Sequence, residues 1–163
     1  MDLRQKFSTS ILPYFTVHQY WKPHKDHFYT TDIKEIGVTN IGMTGNHGYK
    51  YEAVPFSVLA NQAPGTTALK RYFNPEAADH FYTAFTHNNC GGREGTYNAP
   101  PAGYNHEGDL GFCFCDPTEG TVPLFQYYSK SVKDHFYTTN PNNILTESAW
   151  EYQGLLCYVY PSE

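Results

Sequence analysis

The pentapeptide Asp-His-Phe-Tyr-Thr occurs three times in the chain, at residues 26–30, 79–83 and 134–138. The copies begin 53 and 55 residues apart, a regularity that chance does not produce. Recurrence at a fixed period of this size is the signature of a repeat architecture. Similar segments lie on both sides of each copy and divide the chain into three units. We therefore expect a single domain, residues 1–163, of three tandem repeats at about 13–60, 66–115 and 121–161.

Each repeat is predicted to open with a β-hairpin. Polar and apolar residues alternate in segments such as Val17–Trp21 and again in the pentapeptide, and Pro- or Ser-containing turns separate the two. Alternation on both sides of a turn is typical of paired antiparallel strands. An apolar run later in each repeat predicts a third strand, at residues 53–59, 110–115 and 155–160.

A short helix is expected between the second and third strands of repeats one and three. Asp32 and Glu35 have the spacing of a capping box, and Asn140 precedes a proline that suits the first helical position. The corresponding segment of repeat two, residues 87–103, is rich in Gly, Asn and Pro and favours a loop.

The predicted fold class is mainly β with short helices, built from three β-β-α-β repeats. One such unit cannot bury its apolar face alone, so three of them are expected to share one core. We predict a closed pseudo-threefold arrangement that is trefoil-like in its symmetry.

Composition narrows the classes of function. The chain has 163 residues, 28 of them aromatic, and a formal net charge of -5. An acidic protein is a poor match for phosphate backbones, so nucleic acid is not an expected partner. No stretch is long and apolar enough to span a bilayer, which argues against membrane insertion. The first residues also lack the apolar run of a signal peptide, although we expect a secreted or extracellular protein from which a signal is absent or already removed.

The four cysteines, Cys90, Cys113, Cys115 and Cys157, leave two interpretations open. They are either buried thiols or partners in disulfides, and four cysteines allow three pairings. Cys113 and Cys115 flank one residue of a predicted strand and share a face, so a bond between these two is not expected. Their spacing is a poor match for structural zinc.

The pentapeptide also supplies the candidate binding residues. A period of two places Asp, Phe and Thr on one face of the strand, and His and Tyr on the other. We expect the phenylalanines Phe28, Phe81 and Phe136 in the core, and the histidines and tyrosines on a groove face, with the aspartates at the strand entry. The structural alternative is that Asp accepts turn amides while His and Tyr only pack between strands.

The repetition favours binding over catalysis. No serine or cysteine forms a recognisable nucleophile motif, and we predict no catalytic residue, metal or cofactor. A glycosidase needs two carboxylates, which Asp26 with Glu52 or Asp79 with Glu107 would provide, but repeat three has Gln153 in place of the second. Linked weak sites raise apparent affinity, so three copies suit a binder. A three-histidine metal site on the axis is the alternative role for His27, His80 and His135.

Carbohydrate is the ligand class that suits these residues. A sugar presents an apolar C–H face and directional hydroxyls, and therefore fits an aromatic ring beside carboxylate acceptors. Trp21, Phe73 and Tyr128 occupy equivalent positions and are the predicted platforms, although rings at strand ends are often core. The full set of predicted ligand-binding residues is Trp21, Asp26, His27, Tyr29, Glu52, Phe73, Asp79, His80, Tyr82, Glu107, Tyr128, Asp134, His135, Tyr137 and Gln153.

Three segments carry a family resemblance: 72–75 (Tyr-Phe-Asn-Pro), 26–31 (Asp-His-Phe-Tyr-Thr-Thr) and 48–52 (Gly-Tyr-Lys-Tyr-Glu). They resemble the signature segments of a family of repeat modules of unassigned function, and the match covers nearly the whole chain. Such modules are similar to those in extracellular proteins of bacteria, fungi and invertebrates, often attached to hydrolases. The chain also looks like a small marine-invertebrate lectin. The resemblance implies binding of carbohydrates or surfaces, with N-acetylhexosamines as the first sugars to test.

The expected function is that of a multivalent, non-enzymatic lectin for sugars of the N-acetylglucosamine or N-acetylgalactosamine type. Its partners would be glycans or glycoproteins, and a homo-oligomer stays open. The alternative is a glycoside hydrolase or its accessory cell-wall-binding module.

Overall fold

The computed structural model describes residues 12–84, 99–143 and 150–162. The fold is mainly β, as predicted, and all strand pairings are antiparallel. Its strands are β1 (Tyr14–Lys22), β2 (Asp26–Thr30), β3 (Lys50–Leu59), β4 (Thr66–Asn74), β5 (Asp79–Thr83), β6 (Asn105–Phe114), β7 (Val122–Ser129), β8 (Asp134–Thr138) and β9 (Trp150–Pro161).

The strands form three similar three-stranded units. In each, the first strand lies between the other two, so that β1 pairs with β2 and β3, β4 with β5 and β6, and β7 with β8 and β9. The three copies of the pentapeptide are the strands β2, β5 and β8, which confirms the predicted hairpins. The third strands are longer than predicted, because each begins several residues earlier.

The prediction of a closed arrangement is not confirmed, because the sheet is open. The units join where β3, β6 and β9 pair with one another over one or two residue pairs, such as Leu59 with Phe112 and Phe114 with Tyr158. In contrast, β2, β5 and β8 each pair with one strand only and have an unpaired edge. Side chains, rather than a further strand, bond the backbone at these edges, as described below.

The helical segments described are shorter than the predicted helices, and residues 144–149, where the helix of repeat three would continue, lie outside the described residues. Residues Ile33–Glu35 and Pro141–Asn143 form single turns of 3-10 helix. Asp32 does cap the first of these turns, but the Glu35 carboxylate bonds the Thr30 hydroxyl and Arg71 and does not complete a capping box. Most of the loop predicted in repeat two, residues 85–98, lies outside the described residues. Within the described part of the chain, no helix is long and apolar enough to cross a membrane.

The core includes both faces of the pentapeptide, because Phe28 and Phe81 are buried as predicted and the tyrosines, predicted on a groove face, are buried as well. Tyr29, Tyr82 and Tyr137 are in the main core with Val17, Phe56, Leu69 and Leu124. Phe28 lies in a separate buried cluster with Tyr20 and Tyr49. Both faces of β2 and β5 are buried over all five residues, so alternation alone does not identify the inner face.

Both interpretations of the cysteines hold in part. Cys113 and Cys157 are free thiols buried in the main core, where burial raises the pKa of Cys157 well above its ordinary value. Cys115 is disulfide-bonded, and Cys90 lies outside the described residues.

Candidate functional site

Three buried Asp–His contacts connect the repeats at the centre of the molecule. Each aspartate of the pentapeptide accepts two hydrogen bonds from the histidine of another repeat, one from the backbone N–H and one at the ring Nδ1. The ring contacts measure 2.5 Å and the backbone contacts 2.9–3.1 Å. The pairs are Asp26 with His80, Asp79 with His135, and Asp134 with His27.

The three pentapeptide tyrosines make a second set of contacts between repeats. The phenol oxygen of Tyr82 accepts the backbone N–H of Tyr29 at 2.7 Å and donates to its carbonyl at 3.0 Å. Tyr137 accepts the N–H of Tyr82, and Tyr29 accepts the N–H of Tyr137. Buried backbone groups need partners, and these phenols and carboxylates satisfy the open edges of β2, β5 and β8. We call the three Asp–His pairs and these tyrosines the hub.

The hub corrects part of the predicted site. The aspartates are at most 1% exposed and the tyrosines at most 2%, so a ligand at the surface has almost no access to them. This burial agrees with the structural alternative for Asp and Tyr, although the amides that Asp accepts belong to another repeat and not to a turn. These residues are Asp26, Asp79, Asp134, Tyr29, Tyr82 and Tyr137.

The predicted alternative of a three-histidine metal site also does not fit. Each histidine has its Nδ1 bonded to an aspartate. Among the described residues, the group with ligand atoms close enough for an ion is the three aspartates, within 4.8 Å of one another. Their oxygens already accept the hub hydrogen bonds, and Tyr49 and Tyr104 donate to two of them. Burial is the main cause that raises the pKa of Asp134 to about 6.

The second ring nitrogen of two histidines faces the predicted downstream carboxylate. Nε2 of His80 lies 3.1 Å from Glu107, and Nε2 of His27 lies 3.5 Å from Glu52. Burial alone would lower the pKa of both imidazoles, but the carboxylates around them raise it above its ordinary value. An imidazole between two carboxylates is favoured as the cation.

Repeat three differs at this position, as its sequence predicts. Gln153 replaces the glutamate and accepts a hydrogen bond from Gln126 at 2.8 Å. The side-chain oxygen of Gln126 is buried without a hydrogen-bond partner among the described residues.

The predicted platform rings lie beside these histidines and are partly exposed. Phe73 contacts His80 with ring centroids 4.5 Å apart, and Phe28 of repeat one contacts the same imidazole at 4.8 Å. The same order of rings, with the histidine between two aromatic side chains of different repeats, occurs where the other repeats meet. The residues are Trp21, His27 and Phe136 at one interface between repeats, and Tyr128, His135 and Phe81 at the other.

An open groove of about 540 Å³ lies between repeats one and two, and we call it the 1–2 groove. Three predicted site residues, Phe73, His80 and Glu107, line it together. A second depression, of about 970 Å³, includes only one of them, Glu52. Residues not predicted from the sequence complete the 1–2 groove: Lys22, Phe28, Glu35, Ile36, His47, Tyr49 and Arg71.

Arg71 organises the charge of the 1–2 groove. Its guanidinium donates to both oxygens of Glu35 at 2.9 Å, its Nε donates to Glu107 at 3.0 Å, and it lies over the Phe28 ring at 4.6 Å. A register shift of β4 against β6 directly follows Arg71, and equivalent shifts follow Gln19 and Gln126. Such bulges redirect side chains. Sequence reasoning missed this position because its residue type differs between repeats, although its spacing from the pentapeptide is nearly constant.

The raised pKa values predict a stability that falls with rising pH. A histidine whose folded pKa lies above the unfolded value of about 6.5 stabilises fully below that pH and loses the effect as pH rises through the folded pKa. We expect the urea midpoint of unfolding to fall over the pH window that starts at about 6.5 and extends through the raised folded pKa values. Glu107→Gln places a neutral amide beside His80, as Gln153 does at the equivalent position of repeat three. The pKa of His80 is then raised less, so the urea midpoint of this variant should fall less steeply with pH.

Urea unfolding followed by tryptophan fluorescence at several pH values in this window measures the effect. Glu151→Gln, at an exposed carboxylate 3.8 Å from Lys130, is the control and should keep the wild-type slope. An equal slope in wild type and Glu107→Gln would contradict the assigned role of Glu107.

Over residues 15–160, the chain matches the model of a family described as "Domain of unknown function (DUF5648)". The chain belongs to this DUF5648 family. No curated protein and no solved structure shows a significant match. Membership of DUF5648 agrees with the resemblance to modules of unassigned function and adds no ligand or activity.

Proposed function

We propose that this DUF5648 protein is a non-enzymatic, carbohydrate-binding lectin whose best-formed site is the 1–2 groove. The observation that supports this most is the partly exposed Phe73 ring, which lies in the same open groove as Glu107 and Arg71. A groove of about 540 Å³ is within the usual size of small-ligand sites.

The chemistry of the groove suits a polyhydroxylated ring. An aromatic platform packs against the apolar C–H face of a sugar, and ionised side chains orient its hydroxyls by charge-assisted hydrogen bonds. Glu35 and Glu107 each keep about a third of the side chain exposed while Arg71 fixes their position. The carboxylates are thus preorganised to accept hydroxyl protons, which reduces the entropic cost of binding.

The other two interfaces support the multivalent part of the proposal. Trp21 and Tyr128 are partly exposed beside His27 and His135, as Phe73 is beside His80. Up to three related sites in a pseudo-threefold order would raise the avidity for clustered glycans or glycoproteins on extracellular surfaces. N-acetylhexosamines are the sugars to test first.

The protonation of the groove carboxylates favours binding over glycoside hydrolysis. A glycosidase needs one carboxylic acid whose pKa is raised so that it can donate a proton. Burial alone would raise the pKa of Glu35 and Glu107, but Arg71, with His80 at Glu107, lowers it. Asp26 and Glu52 do not act as one carboxylate pair, because the carboxylate of Asp26 bonds His80 of repeat two.

The test is a glycan array followed by titration calorimetry with N-acetylglucosamine. We expect Phe73→Ala to weaken binding at the 1–2 groove by about tenfold, which is the loss of about 1.4 kcal/mol of ring stacking. Phe15→Ala, at an exposed ring outside the groove, is the matched control and should keep the affinity.

A folded protein with no array signal would contradict the proposal. Turnover of a chromogenic glycoside, lost in Glu107→Gln, would favour the hydrolase instead.

A further inference from the structure

The 1–2 groove contains one cation that no carboxylate neutralises. Arg71 is paired with Glu35 and Glu107, and His80 with Glu107 and the buried Asp26. Lys22, on the repeat-one wall, has no carboxylate within ion-pair distance among the described residues. The formal charges of Lys22, Arg71 and a protonated His80 balance those of Glu35, Glu107 and Asp26, so what distinguishes Lys22 is that its ammonium contacts none of the described carboxylates.

Local packing holds the Lys22 side chain on the groove wall. The residue ends β1, and its carbonyl accepts the Lys25 N–H at 3.0 Å in the hairpin turn. Its ammonium lies 5.8 Å from the centre of the Tyr49 ring. Gly48 lies beside the lysine stem, since a Cβ at that position would come within ordinary van der Waals contact of Cε of Lys22, at 3.6 Å.

The cation is specific to this interface. The register with the pentapeptide makes Asn74 and Ser129 the equivalents of Lys22, since all three pair with the first aspartate of their hairpins. Asn74 accepts the N–H groups of its own turn, and Ser129 is buried beside Ser131. Neither neutral side chain would attract an anion.

We propose that the 1–2 groove selects an acidic sugar, one that carries a carboxylate or a sulfate, and that Lys22 receives its anionic group. This inference rests on the proposed carbohydrate-binding function and adds the class of sugar. Phe73 and the carboxylates contact the ring and its hydroxyls, while the ammonium pairs with the acidic substituent. One acidic sugar per chain is expected, because Asn74 and Ser129, the residues equivalent to Lys22 at the other two interfaces, are uncharged.

The experiment compares each acidic sugar with its neutral parent by titration calorimetry at low salt. The probes are N-acetylglucosamine, its 6-sulfate, glucose and glucuronic acid. We expect at least one acidic sugar to bind about fivefold more tightly than its parent, as one partly exposed ion pair allows, with a stoichiometry near one. The advantage should fall sharply at 0.5 M NaCl, where exposed charges are screened. The pair with the larger gain identifies the acid as sulfate or carboxylate.

Lys22→Gln should reduce the acid-to-neutral affinity ratio to about one. Lys25→Gln, at an exposed lysine of the same turn, is the matched control and should keep the ratio. An unchanged ratio in Lys22→Gln, or competition by inorganic sulfate equal to that of the sulfated sugar, would overturn the proposal. Binding of neutral sugars without an acid advantage would overturn it and leave the lectin function intact. If no saccharide binds to folded protein, both proposals fail.

Discussion

Replacement of Asp79 by alanine is expected to lower the free energy of unfolding by about 3–5 kcal/mol, a large share of the roughly 5–15 kcal/mol by which domains are stable. The carboxylate has no exposed surface and accepts three hydrogen bonds: from the His135 backbone at 3.1 Å, from the His135 ring at 2.5 Å, and from Tyr104 at 2.6 Å. Alanine would leave all three donors without this acceptor, and the two donors of His135 are buried. Their lost solvation is not recovered, so the cost exceeds that of an ordinary hydrogen bond.

Urea unfolding and the near-ultraviolet circular dichroism of Asp79→Ala measure this loss. Asp109→Ala is the control, because Asp109 makes an ion pair of 2.9 Å with His106 in which both side chains are nearly half exposed. Exposed pairs contribute little, and we expect a change within about 0.5 kcal/mol. A stable Asp79→Ala protein that has lost only its affinity for sugar would show that the hub aspartates act in binding after all.

Gly111→Ala is expected to destabilise the protein by about 2–4 kcal/mol, because β6 passes very close to β3 at this residue. A Cβ at Gly111 would come 2.6 Å from the Leu59 carbonyl and 2.7 Å from Cγ2 of Val58. The first of these atoms is backbone and cannot rotate away. Gly111 also has φ +150°, in a region that residues with a side chain rarely adopt.

Gly108→Ala separates the close contact from the backbone strain. Gly108 lies in the same strand and has nearly the same φ, +149°, but a Cβ there meets nothing within 4 Å. We expect Gly111→Ala to lower the urea midpoint well beyond Gly108→Ala. Equal losses in the two variants would mean that strain alone explains the effect and that β3 and β6 can separate at little cost.

Local patterns in the sequence predicted the hairpins correctly. Each pentapeptide is one strand, because alternation and the preceding turn are determined by neighbouring residues. The helix predicted from Asp32 and Glu35 is only one 3-10 turn and its capping box is incomplete, because Glu35 bonds Thr30 and also Arg71, 36 residues away. Local propensity cannot include such a partner.

The candidate site was predictable only in part. Phe73, His80 and Glu107 do meet in one groove, as their joint recurrence predicted. The buried position of Asp134 was not predictable, because its partner His27 is 107 residues away and belongs to another repeat. A strand buried on both faces has no polar side to reveal its orientation.

The hub also constrains how many repeats such a chain can contain. Asp26 serves repeat two, Asp79 serves repeat three, and Asp134 returns to repeat one. A chain shortened by one repeat would keep one aspartate and one histidine without a partner. An inserted fourth repeat would meet aspartates and histidines that are already paired with one another. Removal of any one repeat would therefore break two of the three Asp–His pairs at once.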